Sequence, residues 1–182
     1  MTSPERDDGG HGPPVVLLLH GPKGPHPAGV AVPVRVELRN EGPDELWMVG
    51  VVDGSEGGVR YPHYLPTVSR EGRVVAQPPP PEDPLVGPLR AVDFRRLAPG
   101  EAFDPTEPRQ GAAYLPLSTL TNFIPLESGK YGYRVELSTE SDHPDEWLGR
   151  FNQEGEREAV LALIAKVPRL RVASNSLEVE VR

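Results

Sequence analysis

The segment "STESDHPDEWLGRFNQEGERE", residues 138–158, is densely populated with side chains able to bind or react. Asp142, Asp145 and Glu146 surround His143, and carboxylate oxygens are the donors that a hard cation such as Ca²⁺ takes. Their spacing fits no EF-hand loop, and Pro144 restricts the backbone between them. The same segment carries Trp147, Leu148 and Phe151 among its acids. An aromatic anchor rimmed by charge is the arrangement of an interface hot spot. The spacing therefore predicts a protein-contact loop at Asp142, His143, Asp145, Glu146, Trp147 and Phe151, and no metal site. A second reading stands beside it, in which Trp147 and Phe151 fold back to cap one end of the domain and the acids face water.

No other constellation carries chemistry as clearly. The five histidines, His11, His20, His26, His63 and His143, form no H-x-x-x-H or H-E-x-x-H frame. "DGSEGG", 53–58, reads as a turn before a cation loop. "VVLLLHGPKGP", 15–25, resembles the strand and His-Gly segment of the oxyanion hole in α/β-hydrolases. That reading needs a G-x-S-x-G elbow, and the chain has none. A GxxxxGK phosphate cradle is also missing, as is aromatic and basic interleaving for stacking on bases. The sequence calls for no cofactor.

Composition narrows the classes further. The chain has 182 residues, no Cys and a net charge of −8. Disulfides, thiolate metal sites and a cysteine nucleophile are excluded. An acidic chain without a basic cluster is a poor partner for nucleic acid. No stretch approaches the roughly 20 apolar residues of a membrane span. The start lacks the basic-then-apolar build of a secretion signal, so a cytoplasmic location is expected. The basic residues are 16 Arg and 3 Lys, beside 23 Pro and 19 Gly. Arg, Pro, Gly, Ala and Val have GC-rich codons, which points to a bacterial genome of high GC content.

The elements that must position these residues read mostly as strands. Residues 1–13 are polar and Gly-rich and are expected to form a flexible tail, with one domain over 14–182. "VVLLLH", 15–20, is an apolar run fit for a strand buried on both faces. "VAVPVRVELRN", 30–40, alternates, with Val32, Val34, Val36 and Leu38 inward and Pro33 at an edge. The turn "NEGPDE" leads to a strand at 46–52, so a hairpin between the two is expected. Residues 59–75 suggest two short strands around "EGR". The Pro-rich 76–88 is a stiff surface loop. Residues 89–97 form a strand with Val92 and Phe94 inward, and another short strand lies around Phe103. Residues 104–126 are Pro-broken. In 127–140, a turn feeding a strand, Tyr131, Tyr133, Val135 and Leu137 share one face. "EREAVLALIAKV", 156–167, places Val160, Leu163, Ile164 and Val167 on a helical stripe that Pro168 ends. The chain closes on "SNSLEVEVR", 174–182, where Leu177, Val179 and Val181 alternate with Glu178, Glu180 and Arg182. About seven strands with one short helix before the last strand predict an all-β, antiparallel β-sandwich.

One motif refines that expectation. "Glu127-Ser-Gly129-Lys-Tyr131-Gly-Tyr133" resembles the corner before strand F of immunoglobulin-like and fibronectin-III-like sandwiches, here without a disulfide. There a Tyr hydroxyl bonds back to the chain a few residues upstream. Tyr133 stands where such domains often carry Cys, and Trp47 where they often bury a Trp. The resemblance implies an immunoglobulin-like β-sandwich and says little of function, since this fold hosts many activities. The preferred functional expectation is a non-enzymatic binding or accessory module that contacts another protein through end loops. An intracellular protease inhibitor of sandwich type, with loops 104–126 or 139–155, is one alternative. A metal-dependent small enzyme is another. A structural domain with a free edge strand near Pro33 is a third.

Overall fold

The computed structural model describes residues 13–81, 85–149 and 155–182. The chain is mostly β, with several antiparallel sheets and a few short helices. Ten strands occur among the described residues, against the seven expected, because short pieces of two to four residues add to the count.

A three-stranded sheet is ordered β1 (Val15–His20), β2 (Arg35–Asn40), β7 (Ala102–Phe103). A two-stranded sheet pairs β3 (Leu46–Val49) with β6 (Phe94–Leu97). The five-stranded sheet runs β10 (Leu177–Val181), β8 (Gly129–Ser138), β4 (His63–Arg70), β5 (Arg73–Ala76), with β9 (Arg171–Ala173) also on β8. Buried residues of all three sheets form one apolar cluster. No helix among the described residues is long and apolar enough to cross a membrane.

Strand β8 follows its pattern: Tyr131, Tyr133, Val135 and Leu137 are buried and Arg134 is exposed. The Tyr131 hydroxyl donates to the Glu127 carbonyl at 3.0 Å. The "EGR" turn joins β4 to β5 through Glu71 and Gly72, both at positive φ, as a two-residue hairpin with right-handed twist needs. The helix at α3 (Arg157–Ile164) buries Val160 and Ile164, and Val167 is buried just beyond it. It precedes the last two strands rather than one.

Four expectations change. Strand β1 is not buried on both faces, since Val16 and Leu18 are half-buried and only Val15, Leu17 and Leu19 are interior. Residues 30–40 and 46–52 form no hairpin. The buried Asn40 explains this: its amide donates to the Asp44 and Leu97 carbonyls, and its backbone bonds to Gly100 and Glu101. The turn is thereby carried across to β6, and β2 fills its second edge with β7. Pro33 lies outside β2, so it marks no strand edge, and β7 covers the second side of β2 at Leu38 and Arg39. Strand β5 ends the five-stranded sheet, and its Val74 and Val75 are 58% and 46% exposed. Finally, Val92 points outward in a 3₁₀ turn (Ala91–Asp93), where its carbonyl accepts from the Arg109 guanidinium.

Candidate functional site

The exposed loops that face one another are 53–62, 77–81 with 85–90, 115–123 and 141–149. They are tied together by side chains that bond backbone. Arg60 is buried, and it donates from Nε to the Asp53 carbonyl at 2.6 Å and from Nη1 to the Gly87 carbonyl at 2.8 Å. Burial pulls its guanidinium down to about 10, against the upward pull of Asp53 and Asp93. Such a cation is kept inside because carbonyl oxygens satisfy it. Asp53 in turn accepts from the Gly87 N–H at 2.9 Å. Glu56 accepts from the Ser118 N–H, the Ser118 hydroxyl and the Thr119 N–H, at 2.8, 2.7 and 2.6 Å. It supplies the acceptors that the first turn of α1 (Ser118–Thr121) lacks.

The 141–149 loop is built around Trp147. Ser141 accepts from the His143 N–H at 3.1 Å, and its carbonyl takes the Trp147 indole N–H at 3.0 Å. One helical turn, α2 (Asp145–Leu148), brings the ring inside. There it lies 5.7 Å from the Tyr61 ring, with the Arg169 guanidinium 5.3 Å from its centre. The Glu146 carbonyl accepts from the Tyr61 N–H, which fastens the loop to the strand entrance. Gly149 has φ 77°, and a Cβ there would stand 2.8 Å from the Gly87 carbonyl oxygen, so only glycine fits.

The six anticipated contact residues therefore divide. Asp142, His143, Asp145 and Glu146 are exposed on one turn. Trp147 has no exposed surface, so it is a packing residue and not an anchor for a partner. Its indole found a carbonyl partner inside the loop, which removes the cost of burying that N–H. Phe151 lies outside the described residues, as do 1–12 of the expected tail. The acids diverge rather than converge: Asp142 pairs with Arg169 at 3.0 Å, Asp145 with Arg157 at 3.8 Å, and Glu146 accepts from the Ser141 hydroxyl. Among the described residues no three His, Asp or Glu side chains gather to hold a metal ion.

Two grooves flank the proline run. One, of about 450 Å³, lies between Glu56, Val59 and Pro78–Pro81. The other, of about 320 Å³, lies between Ala76, Pro79 and Phe123. Pro79 and Ser118 belong to both. Sequence reasoning marked the prolines as a stiff loop and Glu56 as part of a turn, without joining them. Arg60 left no signal, since nothing local distinguishes a buried arginine from an exposed one.

His63 opens β4 at this end. Its ring stacks on Tyr61 at 3.8 Å. Burial holds its imidazole below the usual histidine value, while Glu146 pulls the other way. No protein-family model matches the chain, and no curated protein matches it.

Proposed function

We propose that the chain is a non-enzymatic binding module of immunoglobulin-like β-sandwich type, acting in the cytoplasm, that contacts another protein through the loops at one end. The carrying observation is the preorganised loop end. Arg60, Asp53, Glu56 and Gly149 fix four loops against one another through backbone, and loops fixed before binding lose less entropy when a partner arrives. On that frame Asp142, Asp145 and Glu146 are exposed. The bond from the Tyr131 hydroxyl to the Glu127 carbonyl supports the immunoglobulin-like reading, since it is the corner bond of that fold.

The test is affinity capture from the native host with mass spectrometry. Wild type is compared with a variant carrying Asp142→Ser, Asp145→Ser and Pro79→Ala, all at exposed positions. A partner held by wild type and lost by the variant, at equal melting temperature, is the expected result. A partner retained equally by both would remove the loop end from the interface. No specific partner in either sample would overturn the reading.

A further inference from the structure

The outer face of the five-stranded sheet carries a groove of about 460 Å³ that shares no lining residue with the grooves at the proline run. Its floor is Gly132 on β8. A Cβ at that position would stand 2.9 Å from Ser69 Oγ and 3.7 Å from Ser176 Oγ. Two hydroxyls, one from β4 and one from the link between β9 and β10, thus converge over bare backbone. In the next row Thr67 and Arg134 stand opposite each other in the β4–β8 register.

These groups have little to do within the chain. Nine arginines have a carboxylate partner, whereas Arg134 has none among the described residues. The hydroxyls of Thr67 and Ser176 make no hydrogen bond among the described residues, and the contact of Ser69 Oγ with the Gly132 carbonyl is long, at 3.4 Å. Ser174 differs, since its hydroxyl accepts from the Val135 N–H and donates to the Asn175 carbonyl. No nearby carboxylate forms an ion pair with Arg134 among the described residues. Glu136 is held by Arg171, and Glu178, in register with Gly132, does not line the groove. Arg134 is the groove's only charged lining residue.

We propose that this groove binds a small ligand through a phosphate or carboxylate group, with Arg134 as the cation and the hydroxyls of Thr67, Ser69 and Ser176 as donors. A guanidinium presents a planar fork of N–H groups that matches two oxygens of such a group at once. Hydroxyl donors complete the shell, and the missing side chain at Gly132 lets the ligand approach the backbone.

The test is a titration followed by ¹H–¹⁵N spectra at constant ionic strength. The probes are inorganic phosphate, glycerol 3-phosphate and acetate, with wild type, Arg134→Gln, Arg134→Lys and Gly132→Ala compared. Saturable shifts at the amides of Thr67, Ser69, Gly132 and Ser176 are expected. Arg134→Gln should abolish them, Arg134→Lys should weaken binding by about ten-fold, and Gly132→Ala should weaken it by filling the floor. Tighter binding of the ester than of phosphate would identify a phosphorylated small molecule as the source, and equal binding would identify the free anion. Preference for acetate would make the group a carboxylate. Shifts that stay linear for every probe, fall on other amides, or persist in Arg134→Gln would overturn the proposal. Arg134 is exposed, so its variants keep the fold, which a melting curve verifies.

Discussion

Trp47 lies on strand β3 and Trp147 on a loop, and their burial is the reverse of what those settings suggest. Trp47 is half-buried, with the Lys166 ammonium 5.5 Å from its ring. Trp147 is wholly inside. Strand β3 belongs to a two-stranded sheet: Leu46, Met48 and Val49 are buried, and Trp47 alone of its residues keeps part of its surface in water. The 141–149 loop has no strand pairing to obey. It folds one helical turn over its own Trp, and the Ser141 carbonyl receives the indole N–H. A loop with an internal partner for every buried polar group can thus hold a deeper residue than this strand does at Trp47.

The largest effects separate these two regions. Trp147→Ala should cost about 3–5 kcal/mol, because it leaves a large cavity and frees the Ser141 carbonyl. Trp47→Ala should cost about 1–2 kcal/mol, since part of its surface already faces water. Denaturant midpoints at unchanged m-value measure both. Equal losses would mean that Trp47 is as enclosed as Trp147, and the contrast between strand and loop would fail.

Next comes the residue that ties the loops to one another. Arg60→Met keeps the length of the side chain and leaves the Asp53 and Gly87 carbonyls without their donor. Stability should fall by about 2–4 kcal/mol, the usual range for orphaning buried acceptors of a charged group. Hydrogen exchange should accelerate at 53–60 and 86–89 and stay unchanged in β8. Uniform acceleration across the molecule would show that the loops unfold only with the whole chain.

The same contrast explains what the sequence disclosed. Strand β8 was legible because Tyr131 to Leu137 alternate without interruption and the corner motif precedes them. The helix stripe at Val160, Ile164 and Val167 was legible for the equivalent reason. Strand β4 was weakly marked because Pro66 breaks its pattern. Pro66 is tolerated because β5 pairs only from Val68 onward, so its missing N–H lies along an open edge. Which strands pair was not legible at all for β2 and β3, since Asn40 decides it through partners up to 61 residues away in sequence. The candidate site fared likewise. Its acids were visible as a run, but the burial of Trp147 and Arg60 rests on carbonyls supplied by distant segments.

Within β8 a smaller contrast separates two adjacent tyrosines of the same face. Tyr131→Phe should lose about 1–2 kcal/mol with the bond to the Glu127 carbonyl. The Tyr133 hydroxyl is buried with no hydrogen-bond partner among the described residues, and burial raises it to about 12, with Tyr131 adding to the shift. Removing an unsatisfied hydroxyl costs nothing in bonding, so Tyr133→Phe should leave the midpoint unchanged or raise it by up to about 1 kcal/mol. A loss on Tyr133→Phe equal to that on Tyr131→Phe would show that the Tyr133 hydroxyl has a partner after all.

The smallest effect lies at the seam between strand and loop. His63 is the first residue of β4, and its ring packs on Tyr61, whose N–H holds the Glu146 carbonyl. Burial lowers its pKa in the folded state, so above about pH 6.5 the imidazole is neutral folded and unfolded and contributes no slope. Below that value the unfolded chain takes up the proton first, and stability falls with pH until the folded imidazole also titrates. Melting temperatures should therefore decline from about pH 6.5 towards pH 5, above the range in which exposed carboxylates dominate. His63→Gln should flatten that window. Glu146→Gln should steepen it, because the Glu146 charge is the part of the site that favours the protonated ring. A slope unchanged in both variants would place the titrating group elsewhere. A slope flattened in His63→Gln and unaltered in Glu146→Gln would leave burial as the sole cause, and the loop would then touch the strand through packing and backbone bonds without charge.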